Sequence, residues 1–201
     1  MLTVVGMGPA GLQWLIPAAR EAIAAAEALV GGSRHLQQFP DFAGERFALG
    51  ADMPALLAWI EARTGRRVVV LASGDPLFYG IGTRLIAHFG RERVQVIPGI
   101  SAVQYLCARA GIDMNDMWLT SSHGRAVSFD ALAAHRKVAM VTDGRCGPRE
   151  IAAQLTARGK GHRWMVIGEN LAMENERIHW LPVSAVEDEY EMNAVVILDE
   201  R

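Results

Sequence analysis

Lysine is nearly missing from this chain. Lys137 and Lys160 are its only two, so arginine supplies almost all of the 20 positive charges in 201 residues, and 22 acidic residues bring the formal net charge to −2. With no excess of positive charge and no local run of Lys or Arg, the sequence offers no electrostatic footprint for nucleic acid. Cysteine is equally scarce. Cys107 and Cys146 stand alone in different segments with no CxxC, which excludes a disulfide framework and suits a reducing cytoplasm. The six histidines, His35, His88, His123, His135, His162 and His179, form no HxH or HExxH pattern, so no protein-held metal is expected. GxxxxGK[ST] and G-x-S-x-G are both absent. No apolar run reaches the ~18 residues of a membrane span, and MLTVVGMG carries no basic leader, so neither membrane insertion nor export is expected. The expected partners are small molecules and the expected location is the cytoplasm.

What the chain has in quantity is apolar residues, 51% of the total, enough for one large core or two small ones. Its focus is Val68 to Gly82, VVVLASGDPLFYGIG. Val68 to Ala72 is an unbroken apolar run, as in a strand buried on both faces of a parallel sheet. Ser73-Gly74-Asp75-Pro76 then breaks it. Gly74 admits close backbone approach, Asp75 offers a carboxylate or an Asx turn, and Pro76 fixes φ. The carboxyl end of a strand is where an open α/β sheet binds its ligand.

In chain order, Leu2 to Val5 predicts a first strand running into Gly6-Met7-Gly8-Pro9-Ala10-Gly11, a literal G-x-G-x-x-G. A helix is expected directly after it, with Leu12, Leu15, Ile16, Ala19 and Ile23 on one face. A dinucleotide site would further need an acidic residue after the next strand. Ala28 to Val30 runs instead into Gly31-Gly32-Ser33-Arg34-His35, and Pro9 deletes an amide a pyrophosphate would use. A helix capped by Asp52, a helix through Leu85, Ile86 and Phe89, a strand Val94–Ile97, and a helix Ala102–Ala110 capped by Ser101 complete a parallel α/β domain, 1–112. Gly111 to Asp116 carries no periodicity and reads as a linker. A smaller domain, 117–201, follows, with strands at Met117–Thr120, Val138–Thr142, Arg163–Gly168, Ile178–Leu181 and Val195–Leu198. The closing strands have no helix between them, which predicts antiparallel pairing.

Three stretches carry a resemblance. GMGPAG, ASGDPLFYGIG and VIPGISAVQYL, in that order, resemble the N-terminal signatures of the tetrapyrrole (corrin/porphyrin) methylases. GGSRHL near residue 31 and SSHGR near residue 121 further resemble the branch that methylates precorrin-6Y or cobalt-precorrin-7, in a short form without a fused second methyltransferase and decarboxylase domain. The resemblance implies two α/β domains, the second with a mixed sheet, holding S-adenosyl-L-methionine in a cleft, and a homodimer. It implies a C-methyltransferase acting at C5 of a corrin-ring precursor in cobalamin biosynthesis, with a separate C15-methylating, decarboxylating enzyme as a further partner.

Carried over by motif, the cofactor contacts are Pro9, Gly74, Asp75, Phe78, Ser101 and Ala102, with Asp143, Asn193 and Ala194 in the second domain. Arg34, His35, His123 and Arg125 are candidates for holding the peripheral carboxylates of the macrocycle, and His123 and Arg125 for the chemistry itself. A sulfonium methyl is already activated, so bringing a ring carbon to about 3–3.5 Å and excluding water suffices, with no protein nucleophile. The residues leave open a relative acting on RNA or protein, a nicotinamide oxidoreductase and a non-catalytic ligand sensor.

Overall fold

The computed structural model describes residues 1–201 and divides into two compact units, Met1–Ser101 and Ala102–Arg201. The first alternates strand and helix: β1 (Leu2–Gly6), α1 (Pro17–Ala24), β2 (Ala28–Gly31), α2 (Ser33–Leu36), β3 (Glu45–Ala48), α3 (Met53–Glu61), β4 (Val68–Ala72), α4 (Gly82–Phe89) and β5 (Val94–Ile97). Its sheet is wholly parallel, in the order β3-β2-β4-β1-β5. β1 and β4 lie at its centre in register from Leu2↔Val68 to Gly6↔Ala72, and every residue of both is buried. That is why neither shows apolar–polar alternation. Asp52 caps α3, its side chain accepting from the Ala55 amide at 2.9 Å. Gly90, at φ 89°, ends α4 where any other residue would be strained.

Sequence and structure differ after the first glycines. The helix expected from Leu12 begins only at Pro17, preceded by a single 3-10 turn, Leu12–Trp14. Pro17 forces the cause. The residue before a proline is pushed out of the helical region, and Ile16 is extended at φ −69°, ψ 154°. Ser33 to Leu36 closes one helical turn and tucks His35 and Leu36 into the unit.

The second unit contains α5 (Ala102–Ala110), β6 (Trp118–Ser121), α6 (Phe129–Ala134), β7 (Lys137–Val141), α7 (Pro148–Ala157), β8 (Trp164–Glu169), β9 (Arg177–Pro182) and β10 (Asn193–Leu198). The sheet is mixed, ordered β6-β7-β10-β8-β9, with β6 parallel to β7 and the other neighbours antiparallel. The division between units falls before α5 and not at the expected linker, 111–116. α5 packs on β10 and β7, burying Val103, Tyr105, Leu106 and Cys107. The linker stretch is itself tied to this sheet, since Lys137 Nζ donates to Asp113 Oδ1 at 2.9 Å and to the Asp113 carbonyl at 3.2 Å.

One charge is wholly inside. Arg163 is 0% exposed, and its guanidinium donates to the carbonyls of Leu132, His135 and Arg136 at 2.7–3.0 Å while Nε faces Asp199 at 2.8 Å. The end of α6, the approach to β7 and the end of β10 are thereby pinned by one residue. No helix is long and apolar enough to cross a membrane.

Candidate functional site

At the carboxyl end of the first sheet, the loops after β1, β4 and β5 are laced together by backbone. Gly8 N donates to Gly74 O at 3.2 Å and Gly74 N to Gly8 O at 3.1 Å, an isolated two-residue bridge between the first and second signatures. A side chain would not fit there. A Cβ on Gly6 would stand 2.5 Å from Gly99 Cα and 2.6 Å from Gly74 O, and one on Gly99 would stand 2.7 Å from Gly6 Cα and closer still to Gly74 O. Three glycines drawn from three signatures thus meet with their backbones in contact.

Asp75 ties the same loops through its side chain. Oδ1 accepts from the Leu77 amide at 2.8 Å, an Asx turn within its own loop, and Oδ2 accepts from the Gly99 amide at 3.1 Å, in the loop after β5. Gly80 and Gly82 let the rest of the segment fold over the Pro76 carbonyl, to which Gly82 N donates at 3.0 Å. Tyr79 takes φ 53°, unusual for a side chain of that bulk, and stacks edge-on against Phe78. Pro9, Gly74, Asp75 and Phe78 are all half-buried, with one side turned to solvent, whereas Ser101 is buried at 4% exposure.

His35 comes to this loop from α2. It is 8% exposed, and its Nε2 lies 3.4 Å from Oγ of Ser73, the exposed residue that follows β4 directly. Burial, helped by the charge of neighbouring Arg34, lowers its pKa below the usual histidine value, which favours a neutral ring. Arg34 itself is exposed.

The second unit has its own laced loops. The Asp143 carboxylate accepts from the amides of Arg145 (3.0 Å), Cys146 (3.1 Å) and Gly124 (3.2 Å), joining the loop after β7 to the SSHGR loop after β6. These amides, Arg145 first, hold its pKa below the usual aspartate value. Ser122 Oγ donates to Cys146 O at 3.0 Å and accepts from Asp143 N at 3.1 Å. His123 and Arg125 are exposed on that loop, the His123 amide donating to Ser121 Oγ at 2.9 Å. Asn193 Oδ1 accepts from Thr142 Oγ1 at 2.6 Å. Ala194, next along β10, is fully buried between Val141 and Gly168 in the middle of the sheet, so no side-chain surface of it faces solvent.

Sequence reasoning placed the SGDP loop but missed three of its working parts. Gly6 and Gly99 act as a contact pair, Ser73 partners His35, and Thr142 orients Asn193. Only the glycines left a trace, each ending or following an apolar run.

Comparison with known proteins fits this layout. The family model of the Tetrapyrrole (Corrin/Porphyrin) Methylases matches residues 1–186. A cobalt-precorrin-7 C(5)-methyltransferase from Salmonella typhimurium is 79% identical over all 201 residues, 100% of both chains. A precorrin-6Y C(5,15)-methyltransferase [decarboxylating] from Sinorhizobium sp. is 33% identical over 88% of this chain and 44% of its own. Among solved structures, a precorrin-6Y methylase from Archaeoglobus fulgidus has a TM-score of 0.77 at 25% identity, covering 100% of this chain and 99% of the other. A uroporphyrin-III C-methyltransferase from Thermus thermophilus, complexed with S-adenosylhomocysteine, has a TM-score of 0.79 over 98% of this chain and 97% of its own. At 19% identity it shows the fold alone.

Proposed function

The chain belongs to the tetrapyrrole (corrin/porphyrin) methylases, and from that premise we propose that it transfers a methyl group from S-adenosyl-L-methionine to C5 of cobalt-precorrin-7 in cobalamin biosynthesis. The observation that carries this reading is identity at 79% along the full length of both chains with the Salmonella typhimurium relative of that name. Fold alone decides much less, since proteins under 25% identical share it.

The residues present fit a bound S-adenosyl group. Gly6, Gly74 and Gly99 lock the three signature loops together backbone against backbone, and Gly74, Asp75 and Phe78 remain partly exposed beside them. Each Asp75 oxygen accepts one amide and keeps a second lone pair for a ligand donor. In this reading Pro9, Gly74, Asp75, Phe78, Ser101 and Ala102 hold the cofactor in the first signatures, and Asp143 and Asn193 are further contacts, whereas Ala194, 0% exposed between β7 and β8, is withdrawn from the set. When bound, the cofactor supplies a methyl already activated on a positive sulfur. The chain's own part is to bind, orient and exclude water. Arg34, His123 and Arg125, all exposed, are the proposed contacts to the acidic rim of the corrin, where guanidinium groups pair bidentately with carboxylates, whereas His35, 8% exposed, lies behind Ser73 and is not placed among them. We further propose a homodimer in the cytoplasm, working with a separate C15-methylating enzyme.

Calorimetry with S-adenosylhomocysteine and NAD, followed by turnover of cobalt-precorrin-7, tests the reading. Binding of the first and not the second, with methyl transfer to C5, is expected. Preference for NAD, or cofactor binding without corrinoid turnover, overturns it.

A further inference from the structure

Replacing hydrogen by methyl on a ring carbon releases one proton, and the proposed reaction therefore needs a group to take it. Resting on the methyltransferase reading above, we infer that Ser73 and His35 form a relay that removes this proton. Ser73 is exposed at the carboxyl end of β4, next to Gly74 in the cofactor loop, and His35 Nε2 lies 3.4 Å from its Oγ. The pair joins two signatures far apart in the chain, GGSRHL and SGDP, at the end of the sheet where the glycines converge.

The bonds balance. The methyl–sulfur bond breaks with its electron pair left on sulfur, and the carbon–carbon bond forms from the ring's π electrons. The C–H bond at that carbon then breaks, its pair returning to the ring. Its proton passes to Ser73 Oγ as the Ser73 proton passes to His35 Nε2, and the imidazolium later releases it to water. For this, His35 must rest neutral with its proton on Nδ1. Its surroundings favour neutrality. Burial and the positive charge of Arg34 both oppose protonation. Among the elements packed on α2, β2 brings no charged group. In β3, Arg46 donates to carbonyls of 36–42, and Glu45 is engaged by Arg63 and Arg66. Asp75, in the loop beyond Ser73, turns its carboxylate to the Leu77 and Gly99 amides. No carboxylate is paired with the ring to hold it charged.

His35→Gln and Ser73→Ala test the relay. Each is expected to lower kcat about 10²- to 10⁴-fold, the usual span for general-base loss, with S-adenosylhomocysteine affinity within about twofold of the parent. The acid limb of the kcat–pH profile should vanish in His35→Gln, and imidazole added to His35→Ala should restore turnover. Nitrogen-15 NMR of the unliganded protein gives a readout independent of turnover. It should show a neutral His35 protonated on Nδ1, with an Nε2 shift that moves in Ser73→Ala. Because Ser73 is exposed, that variant disturbs no core and remains informative if His35 variants unfold. Parent-like kcat in Ser73→Ala, or a His35 protonated on Nε2, overturns the relay. Failure of the parent enzyme to methylate the corrinoid would instead overturn the reaction assignment.

Discussion

The Asp75 carboxylate accepts one amide from its own turn and one from the loop after β5, so its removal loosens two signatures together. Hydrogen bonds to charged acceptors contribute about 1.5–3 kcal/mol. Asp75→Ala should therefore weaken S-adenosylhomocysteine about ten- to a hundredfold, and Asp75→Asn, which keeps one acceptor, by less. Calorimetry on both variants checks this, and equal affinities in all three proteins would mean the glycine contacts hold the loops unaided. A second residue-scale expectation concerns pH. His35 has a lowered pKa when folded, so the unfolded chain takes up a proton near the ordinary value of 6.5 that the folded site resists. Stability then falls as pH drops below that value, and urea titrations should show part of this slope disappearing in His35→Gln. The thiols are quiet by comparison. Burial pushes both Cys107 and Cys146 up to about 11, leaving them protonated at neutral pH.

At the scale of elements, the site depends on glycines in unequal ways. Gly99→Ala forces a Cβ into the Gly6 and Gly74 backbones, whereas a Cβ on Gly50 would meet nothing within 4 Å. Overpacking costs about 1–3 kcal/mol, and for a chain of this size each kcal/mol lowers Tm by about 2–4 °C. Differential scanning calorimetry should show Gly99→Ala melting several degrees lower and binding S-adenosylhomocysteine poorly, with Gly50→Ala unchanged or slightly more stable. The contrast also marks what was legible in the sequence. Val68–Ala72 and Val94–Ile97 were plain to read because continuous apolar runs have one use in a doubly covered sheet. The start of α1 was misread because helical spacing from Leu12 was followed past Pro17. The glycine contacts and the His35–Ser73 pair join residues distant in the chain, and no local periodicity reports them. The roles of Asp75 and Asp143 as amide acceptors were half visible, since Asp in a turn announces an Asx turn but not which second loop it will reach.

At the scale of the whole molecule, the Salmonella typhimurium relative, which covers this chain fully, is named for one position, while the Sinorhizobium relative, named for two positions and a decarboxylation, has more than half its length beyond the match. Mass spectrometry of the product should accordingly show one added methyl and every carboxyl retained; loss of carbon dioxide would contradict this. The packing of α5 bears on how the gene can be divided. Leu106 of this helix lies so close on Gly168 that a Cβ there would be 2.7 Å from its Cδ1, and Val103, Leu106 and Cys107 are covered within the second unit. Splitting the coding sequence after codon 112 would give the upstream fragment an apolar helix without its sheet and leave the downstream fragment with β7 and β10 uncovered. Splitting after codon 101 keeps the helix with the surface it covers, so two co-expressed halves should stay in solution and complement a deletion strain only when the cut is made there.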